Sequence, residues 1–467
     1  MVGKEDETSS SITGTVQVIS TFANNVPVHF RAPALLGLVW LLWGFNVWVF
    51  GRYGIDYCEL LGFNRSTALS AQQIIRSALI YLGLLFLGFA LIWEAPLSDV
   101  LIWPSIFYMG GFLLFLLPVD IFHRSGRERL LFNFYRVCVP SSKGVAFVEV
   151  LLGDVMTSLC KVFADMEVTG CVILAHMAAR PEVVGSLRGA TLHTGTSGVD
   201  GKDLSLYGCS DSWMRPLVTS VPFLLRFQQC IRAYFVTRDR KNLVNSAKYV
   251  SSLPVIWISA FTHHFPDHAW TETLKVVWVL AVSFNSFFSF MWDIVMDWGF
   301  CRNGATHFLL REHLVYRHSL FYYWAIVVDF ILRVLWSFKL SVHLSLSAEG
   351  HTFLLEVLEV FRRFLWLFLR VEWQAVDTGR IRAPDHGIVR GDAVVVDDGT
   401  IKTIARKAKH SEAVPLMDHV GGGDEEELVW SVSKSNEPLR SRTVSKNQHA
   451  VGASVARHGS KEDKEHV

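Results

Sequence analysis

Apolar runs long enough to cross a bilayer as helices, about 20 residues each, recur near 33–51, 76–93, 101–119, 213–236, 243–262, 272–296, 320–343 and 353–372, with 145–178 as one long or broken element. They predict an all-α polytopic membrane protein of about nine transmembrane helices, polar residues blurring three of them. The stretches between the runs divide by charge. The segment after the third run holds Arg124, Arg127, Arg129, Arg136 and Lys143; the one after the fifth holds Arg238, Arg240 and Lys241; the one after the seventh holds Arg302, Arg311 and Arg317. Loops 94–100, 263–271 and 344–352 contain no Lys or Arg, and 179–212 is rich in Gly, Ser and Thr with mixed charge.

Short basic loops stay on the cytosolic side, so the first set is cytosolic and the second lumenal or external. An odd number of spans then sets segment 1–32 in the lumen and 376–467 in the cytosol. The sequon Asn64-Arg65-Ser66 falls on the cytosolic side and is expected to stay unglycosylated. Residues 376–467, with VGGGDEEEL and many Ser and Lys, predict a disordered tail; at its start, 390–405 can pair as a short hairpin.

Composition supports the membrane reading. The 467 residues are 51% hydrophobic and only 19% charged, where a soluble chain carries about 25% charge; the mean hydropathy is +0.31. A net charge of +1 leaves nothing to hold a nucleic-acid backbone, and 13% aromatic residues exclude wholesale disorder. The seven cysteines are scattered singly with no C-x-x-C, so neither disulfides nor thiol chemistry are expected. The polar N-terminus lacks the basic start and cleavage pattern of a signal peptide, which makes the first apolar run a retained helix.

Ionisable side chains at membrane depth cost at least about 2.5–3.5 kcal/mol each, so they are rare and mark pathways by default. Here they fall in six predicted helices. Asp154 is followed at i+3 and i+4 by Thr157 and Ser158, Arg226 shares a face with Gln229 and Arg232, and Lys248 precedes Tyr249. Asp293 and Asp297 are one turn apart, Arg333 lies between Asp329 and Trp336, and Glu356 and Glu359 precede the adjacent pair Arg362 and Arg363.

Some of these charges have a plainer explanation. Asp329 to Arg333, and Glu359 to Arg362 and Arg363, have the spacing of intrahelical ion pairs; Asp297 and Arg232 lie near helix ends, where snorkelling or a cap accounts for them. Arg362 and Arg363 diverge by about 100° on a helix, so burying both needs polar surroundings on two sides. Even with Asp329 and the two glutamates serving partners on their own helices, the guanidinium donors outnumber what Asp154 and Asp293 can occupy, since each Arg offers five N–H groups. Such forks match the tetrahedral oxygens of phosphate or sulfate, and Lys adds a point charge. The seam favours a small oxyanion.

Other constellations carry less. His263, His264 and His268 could ligate a metal, but histidines in such a loop are more often solvated, and neither a metal nor a cofactor is expected. No P-loop, G-x-G-x-x-G or G-x-S-x-G occurs, and no nucleophile, base and orienting partner can be assembled, so neither an ATP-driven pump nor an enzyme is expected. The basic, aromatic stretch 121–139 has the composition of an interfacial helix.

Five blocks, GDVMTSLCKVFADME, WMRPLVTSVPFLLRFQQCIRAYFVTRDRKNLVNSAKY, SFMWDIVMDWG, HFLLREHLVYRHSLFYYWAIVVDFILRVLW and LEVFRRFLWLFLRVEWQ, occur in this order. Together they resemble the EXS family, the membrane domain of eukaryotic phosphate exporters and of a Golgi protein whose loss causes defects in retaining lumenal ER proteins. The resemblance covers about residues 30–375. It implies an EXS-type bundle with a core at 145–375, preceded by N-terminal helices and an amphipathic loop at 33–144. It further implies that Asp154, Lys248, Tyr249, Asp293, Arg333, Arg362 and Arg363 line a phosphate path. Trp336 would stand near its gate, with Arg226, Asp297 and Glu359 as secondary positions. Thr157 stands where the exporters carry Asn, with one donor for the amide's two.

The exporters also carry an SPX domain, a helical sensor of inositol pyrophosphates, ahead of the membrane part. About thirty residues before the first run are too few for one, so the sequence resembles the SPX-less Golgi branch. The function this implies is a Golgi phosphate transporter that returns lumenal phosphate, a by-product of glycosylation, to the cytosol. Two rivals stand beside it. One is a trafficking or scaffold protein whose tail or loops engage the machinery that recycles Golgi glycosyltransferases; the other is a phosphate exporter of the plasma membrane, with the ER as a further alternative residence. The partners to test are inorganic phosphate, the bilayer, that recycling machinery and a second copy in a homodimer.

Overall fold

The computed structural model describes residues 26–92, 101–139, 144–178, 208–209, 211–302, 307–335, 348–381, 393–397 and 400–404. Helix α1 (Val28–Arg52) is joined through the one-turn α2 (Tyr57–Leu60) to α3 (Ala71–Ile92), followed by α4 (Ile102–Leu116) and α5 (Arg124–Cys138). Then come α6 (Phe147–Ser158), α7 (Cys160–Ala178), α8 (Met214–Thr237), α9 (Arg240–Val250) and α10 (Ser252–His264). Helix α11 (Thr271–Trp292) runs into a π turn at Asp293–Asp297, and α12 (Ser319–Val334) and α13 (Ala348–Asp377) complete the bundle. Each predicted apolar run falls, in its described residues, on one of these helices or on a consecutive pair, 336–343 of the run 320–343 lying outside the described residues, and the chain is an all-α membrane protein. Among the described residues, α1, α3 and α11 with its π turn are apolar and long enough to cross a membrane by length and composition. The short hairpin is present as well: β1 (Ala393–Asp397) pairs antiparallel with β2 (Thr400–Ile404).

Burial follows the sequence pattern. Helices α3 and α4 turn Leu79, Phe86, Leu91, Phe112 and Leu116 outward, as lipid-facing helices do. Helix α13 is the opposite case: Trp366, Leu369, Val371 and Ala375 are almost fully buried in a core shared with Phe50, Trp298, Phe300 and Tyr322. A helix that is both charged and central can be so only because its charges meet partners on the surrounding helices.

Three helices lose regular geometry at one level of the bundle. The α6–α7 break is at Leu159, directly after Asp154, Thr157 and Ser158. The α9–α10 break is at Ser251, directly after Lys248 and Tyr249. Pro254 accounts for the second, since it has no N–H to offer the carbonyl of Val250 four residues back. Side chains bond around the break: Ser251 Oγ donates to Lys248 O at 2.7 Å, and Asn285 Nδ2 donates to Ser251 Oγ at 2.8 Å. The third irregularity is the π turn that carries Asp293 and Asp297.

The two ends of the bundle match the charge partition of the loops. At one end Ile55 bridges Ile381, Arg380 Nη1 donates to Glu59 O at 3.1 Å, Arg129 Nη1 reaches Gly62 O at 3.4 Å, and the Tyr53 and Tyr316 rings meet at 4.9 Å. At the other, His264 stacks on Trp213 at 4.0 Å and its Nε2 bonds Asp211 O at 2.8 Å. Helix α5 is amphipathic as expected, exposing Leu130, Phe132 and Tyr135. Its buried Arg127 donates to the carbonyls of Leu114, Leu117 and Val119 at the end of α4, satisfying groups that a helix C-terminus leaves open.

One expectation is corrected. Cys171 on α7 and Cys209 ahead of α8, 38 residues apart, form a disulfide with Cα atoms 5.9 Å apart. The packing of α7 against α8 brings them together, which spacing along the chain does not reveal.

Candidate functional site

A cavity of about 650 Å³ lies among α6 to α13 where the helices break. Its lining begins at Ser212, Arg215, His263 and His264 and continues through Lys161, Asp165 and Glu356 to Asp154, Lys248, Asp293, Arg333, Arg362 and Arg363. Of the positions singled out from the sequence, Thr157, Tyr249 and Glu359 line it too. Arg226 lies behind the wall, Asp297 sits 3.7 Å from Arg370 Nε, and Trp336 falls outside the described residues. Discontinuous helices at membrane depth, with polar backbone and side chains facing a cavity, are where transporters build their binding sites.

Two ion-pair clusters form the walls. In the first, Arg226 of α8 is 2% exposed and donates Nε to Asp154 Oδ1 at 2.9 Å, Nη1 to Gln229 Oε1 at 2.5 Å and Nη2 to Tyr249 OH at 3.0 Å. Tyr249 OH in turn donates to Asp154 Oδ1, so three helices close on one carboxylate. Gly153 makes this approach feasible: a Cβ there would collide with Cδ of Arg226 and stand 2.9 Å from Gln229 Oε1.

In the second cluster Arg362 of α13 grips Glu359 in bidentate fashion, Nε to Oε2 at 2.8 Å and Nη2 to Oε1 at 2.6 Å. Its Nη1 reaches Asp329 Oδ1 at 3.1 Å and Asp293 Oδ2 at 3.5 Å. Arg333 donates Nε to Asp329 Oδ2 at 3.1 Å and Nη2 to Asp293 Oδ2. Of the intrahelical pairs expected from spacing, Asp329 with Arg333 and Glu359 with Arg362 exist and Glu359 with Arg363 does not; the cluster also locks α11, α12 and α13 together.

Two cations stand apart. Arg363 donates Nε to Ser158 Oγ at 2.8 Å and lies over the Trp366 ring at 4.5 Å, but has no carboxylate in ion-pair reach among the described residues. Lys248 likewise has none; its ammonium lies 4.6 Å from the Tyr249 ring centre and 5.3 Å from that of Trp292. Thr157 spends its hydroxyl on Asp154 O at 2.8 Å. Ser158 donates to Glu359 Oε1 at 2.6 Å while accepting from Arg363, which joins the free guanidinium to the paired one. The lining holds Lys161, Arg215, Lys248, Arg333, Arg362 and Arg363 against Asp154, Asp165, Asp293, Glu356 and Glu359, a formal excess of one positive charge. A cavity of this size with such an excess suits a small, hydrated anion.

The sequence reading missed Gly153, and it placed Ser158 on the face of Asp154 without its partners; both act through neighbours on other helices, for which a single helix carries no signal. Glu356 was paired with its own helix, yet both of its carboxylate oxygens are buried without a hydrogen-bond partner among the described residues. At the cavity mouth, His264 is engaged by Trp213, by Asp211 O, and by Ala260 O at 2.9 Å from Nδ1.

Comparison with known proteins agrees with this architecture. The human protein Solute carrier family 53 member 1 is 30% identical over 371 residues, covering 76% of this chain and 51% of its own. The Xenopus laevis protein Xenotropic and polytropic retrovirus receptor 1 homolog is also 30% identical over 371 residues, with the same coverage. SPX and EXS domain-containing protein 1 of Dictyostelium discoideum is 26% identical over 363 residues, covering 75% and 37%. The chain spans about half the length, or less, of these curated relatives. The EXS family model matches residues 26–376, three quarters of the chain including every helix of the cavity, and the chain belongs to the EXS family.

Proposed function

We propose that the protein moves inorganic phosphate across a membrane through the cavity between α6 and α13, returning it from the Golgi lumen to the cytosol. The observation that carries this is the pair Lys248 and Arg363, cations facing the cavity with no carboxylate in ion-pair reach among the described residues, beside two clusters in which Arg226, Arg333 and Arg362 are matched by carboxylates. Phosphate would exchange its water shell for the Lys248 ammonium and the terminal N–H groups of Arg363. The neighbouring carboxylates keep the field weak enough for release, since a site of cations alone would trap the ion. Kinship to a solute carrier supports the transport class, and a cavity lined up to the 211–215 and 263–264 segments supports entry from the lumenal side. The test is radiolabelled phosphate flux in proteoliposomes of the full chain. Saturable flux is expected in the wild type, falling at least about tenfold in Arg363→Ala and Lys248→Ala, the loss of one charge-assisted contact each; undiminished flux in both correctly inserted variants overturns the assignment. A tagged protein co-localising with a Golgi rather than a plasma-membrane marker tests the compartment.

A further inference from the structure

Glu356 is the one carboxylate on the cavity wall whose two side-chain oxygens are both buried without a hydrogen-bond donor among the described residues. It is 4% exposed and sits one turn before Glu359 on α13, where α1, α7 and α8 converge. Among the described residues, the charged groups around it are Asp165 and Lys161 of α7, Arg31 of α1 and Arg215 of α8, with Glu359 on its own helix. The remaining titratable groups nearby are Cys160 of α7 and His29, which lies beside Arg31. Glu359 is held by Arg362 and Ser158, so it does not compete for the role. A buried, ionised carboxylate with neither donor nor paired cation in contact is a costly arrangement; a proton on one oxygen removes the charge and leaves a neutral group that tolerates the site.

We propose that Glu356 is a proton-binding site that couples proton movement to anion passage. Its location gives the coupling a direction. Asp165, Lys161 and Arg215 line the cavity between its mouth and the Lys248 and Arg363 pair, so an incoming anion must pass the carboxyl. With the proton bound, Lys161 and Arg215 face the anion unopposed by Glu356. With the proton lost, the ionised carboxylate repels the anion and attracts those cations to itself. Proton and anion therefore favour each other's binding and travel together. The step is a proton equilibrium at a carboxylate oxygen and needs no co-reactant.

The transport arm of this inference rests on the phosphate reading, and the experiment separates the two. Full-length protein in liposomes with a trapped pH dye gives the ratio of protons to phosphate moved. Protons carried on phosphate itself are common to all variants, so the ratio is expected to fall by about one in Glu356→Gln, which cannot bind the proton. Infrared difference spectra across a pH titration are expected to contain a protonated-carboxyl band that vanishes in Glu356→Gln and returns, shifted, in Glu356→Asp. An unchanged ratio and an unchanged band in Glu356→Gln overturn the proposal. Absence of phosphate flux in the wild type would overturn the phosphate reading, and the band would then decide the proton site alone. Should Glu356→Gln not assemble, a band unmoved in Glu356→Asp overturns it equally.

Discussion

At the scale of single residues, the charges of the seam differ in what they can lose. Asp154 holds Arg226 and accepts the hydroxyl of Tyr249, so Asp154→Ala strands a guanidinium that is 2% exposed. Breaking a buried pair from one side costs about 3–5 kcal/mol, and this variant is expected to be lost as monodisperse protein on size-exclusion chromatography. Arg363 has a hydroxyl and a ring as neighbours, and its removal is expected to leave the thermal midpoint nearly unchanged while flux falls. Gly153→Ala tests the packing beneath the charges. The added methyl meets a side chain pinned at both ends, an overpacking penalty of about 1–3 kcal/mol, read as a lower melting temperature in detergent. The charged residues were legible in the sequence because ionisable groups in apolar runs stand out. Their pairing was legible only within a helix, so Asp329 with Arg333 was visible and Asp154 with Arg226 was not.

At the scale of elements, the apolar runs located the helices of the bundle other than the one-turn α2 and the amphipathic α5, but their breaks carry the site. Pro254 marks one break in the sequence; the π turn after Trp292 has no such mark, and its Asp293 is held by Arg333 of α12 and Arg362 of α13. Replacing Pro254 by Ala restores an N–H and favours continuous α9–α10 geometry by up to about 3 kcal/mol in helix propensity. The expected result is an equal or higher melting temperature with several-fold lower flux, because Lys248 and Tyr249 leave their register with Asp154. Unchanged flux would show that the break does not position them. The α7–α8 disulfide closes a loop of 38 residues, for which chain entropy gives about 4 kcal/mol. Reductant should lower the melting temperature of the wild type and leave Cys171→Ser, already lowered, where it is.

At the scale of the whole molecule, loop charge separated the two ends correctly, since the contacts of 53–67, 129 and 380–381 gather at one end and those of 211–213 with 264 at the other. The cavity is lined up to the second end, while toward the first the core is filled by Trp298, Phe300, Tyr316 and Tyr322. Ser259→Cys is therefore expected to react with a membrane-impermeant thiol reagent added on the 211–264 side and not on the other, with phosphate slowing the reaction. The bond between Cys171 and Cys209 adds a consequence of a different kind. It belongs to the same end as Trp213 and His264, and disulfides persist only where the surroundings are oxidising. A chain threaded through the membrane upside down would hold both sulfurs in a reducing cytosol and leave them as thiols. The redox state of this pair, read by alkylation and mass in intact cells, is thus a molecular record of which way round each copy was inserted.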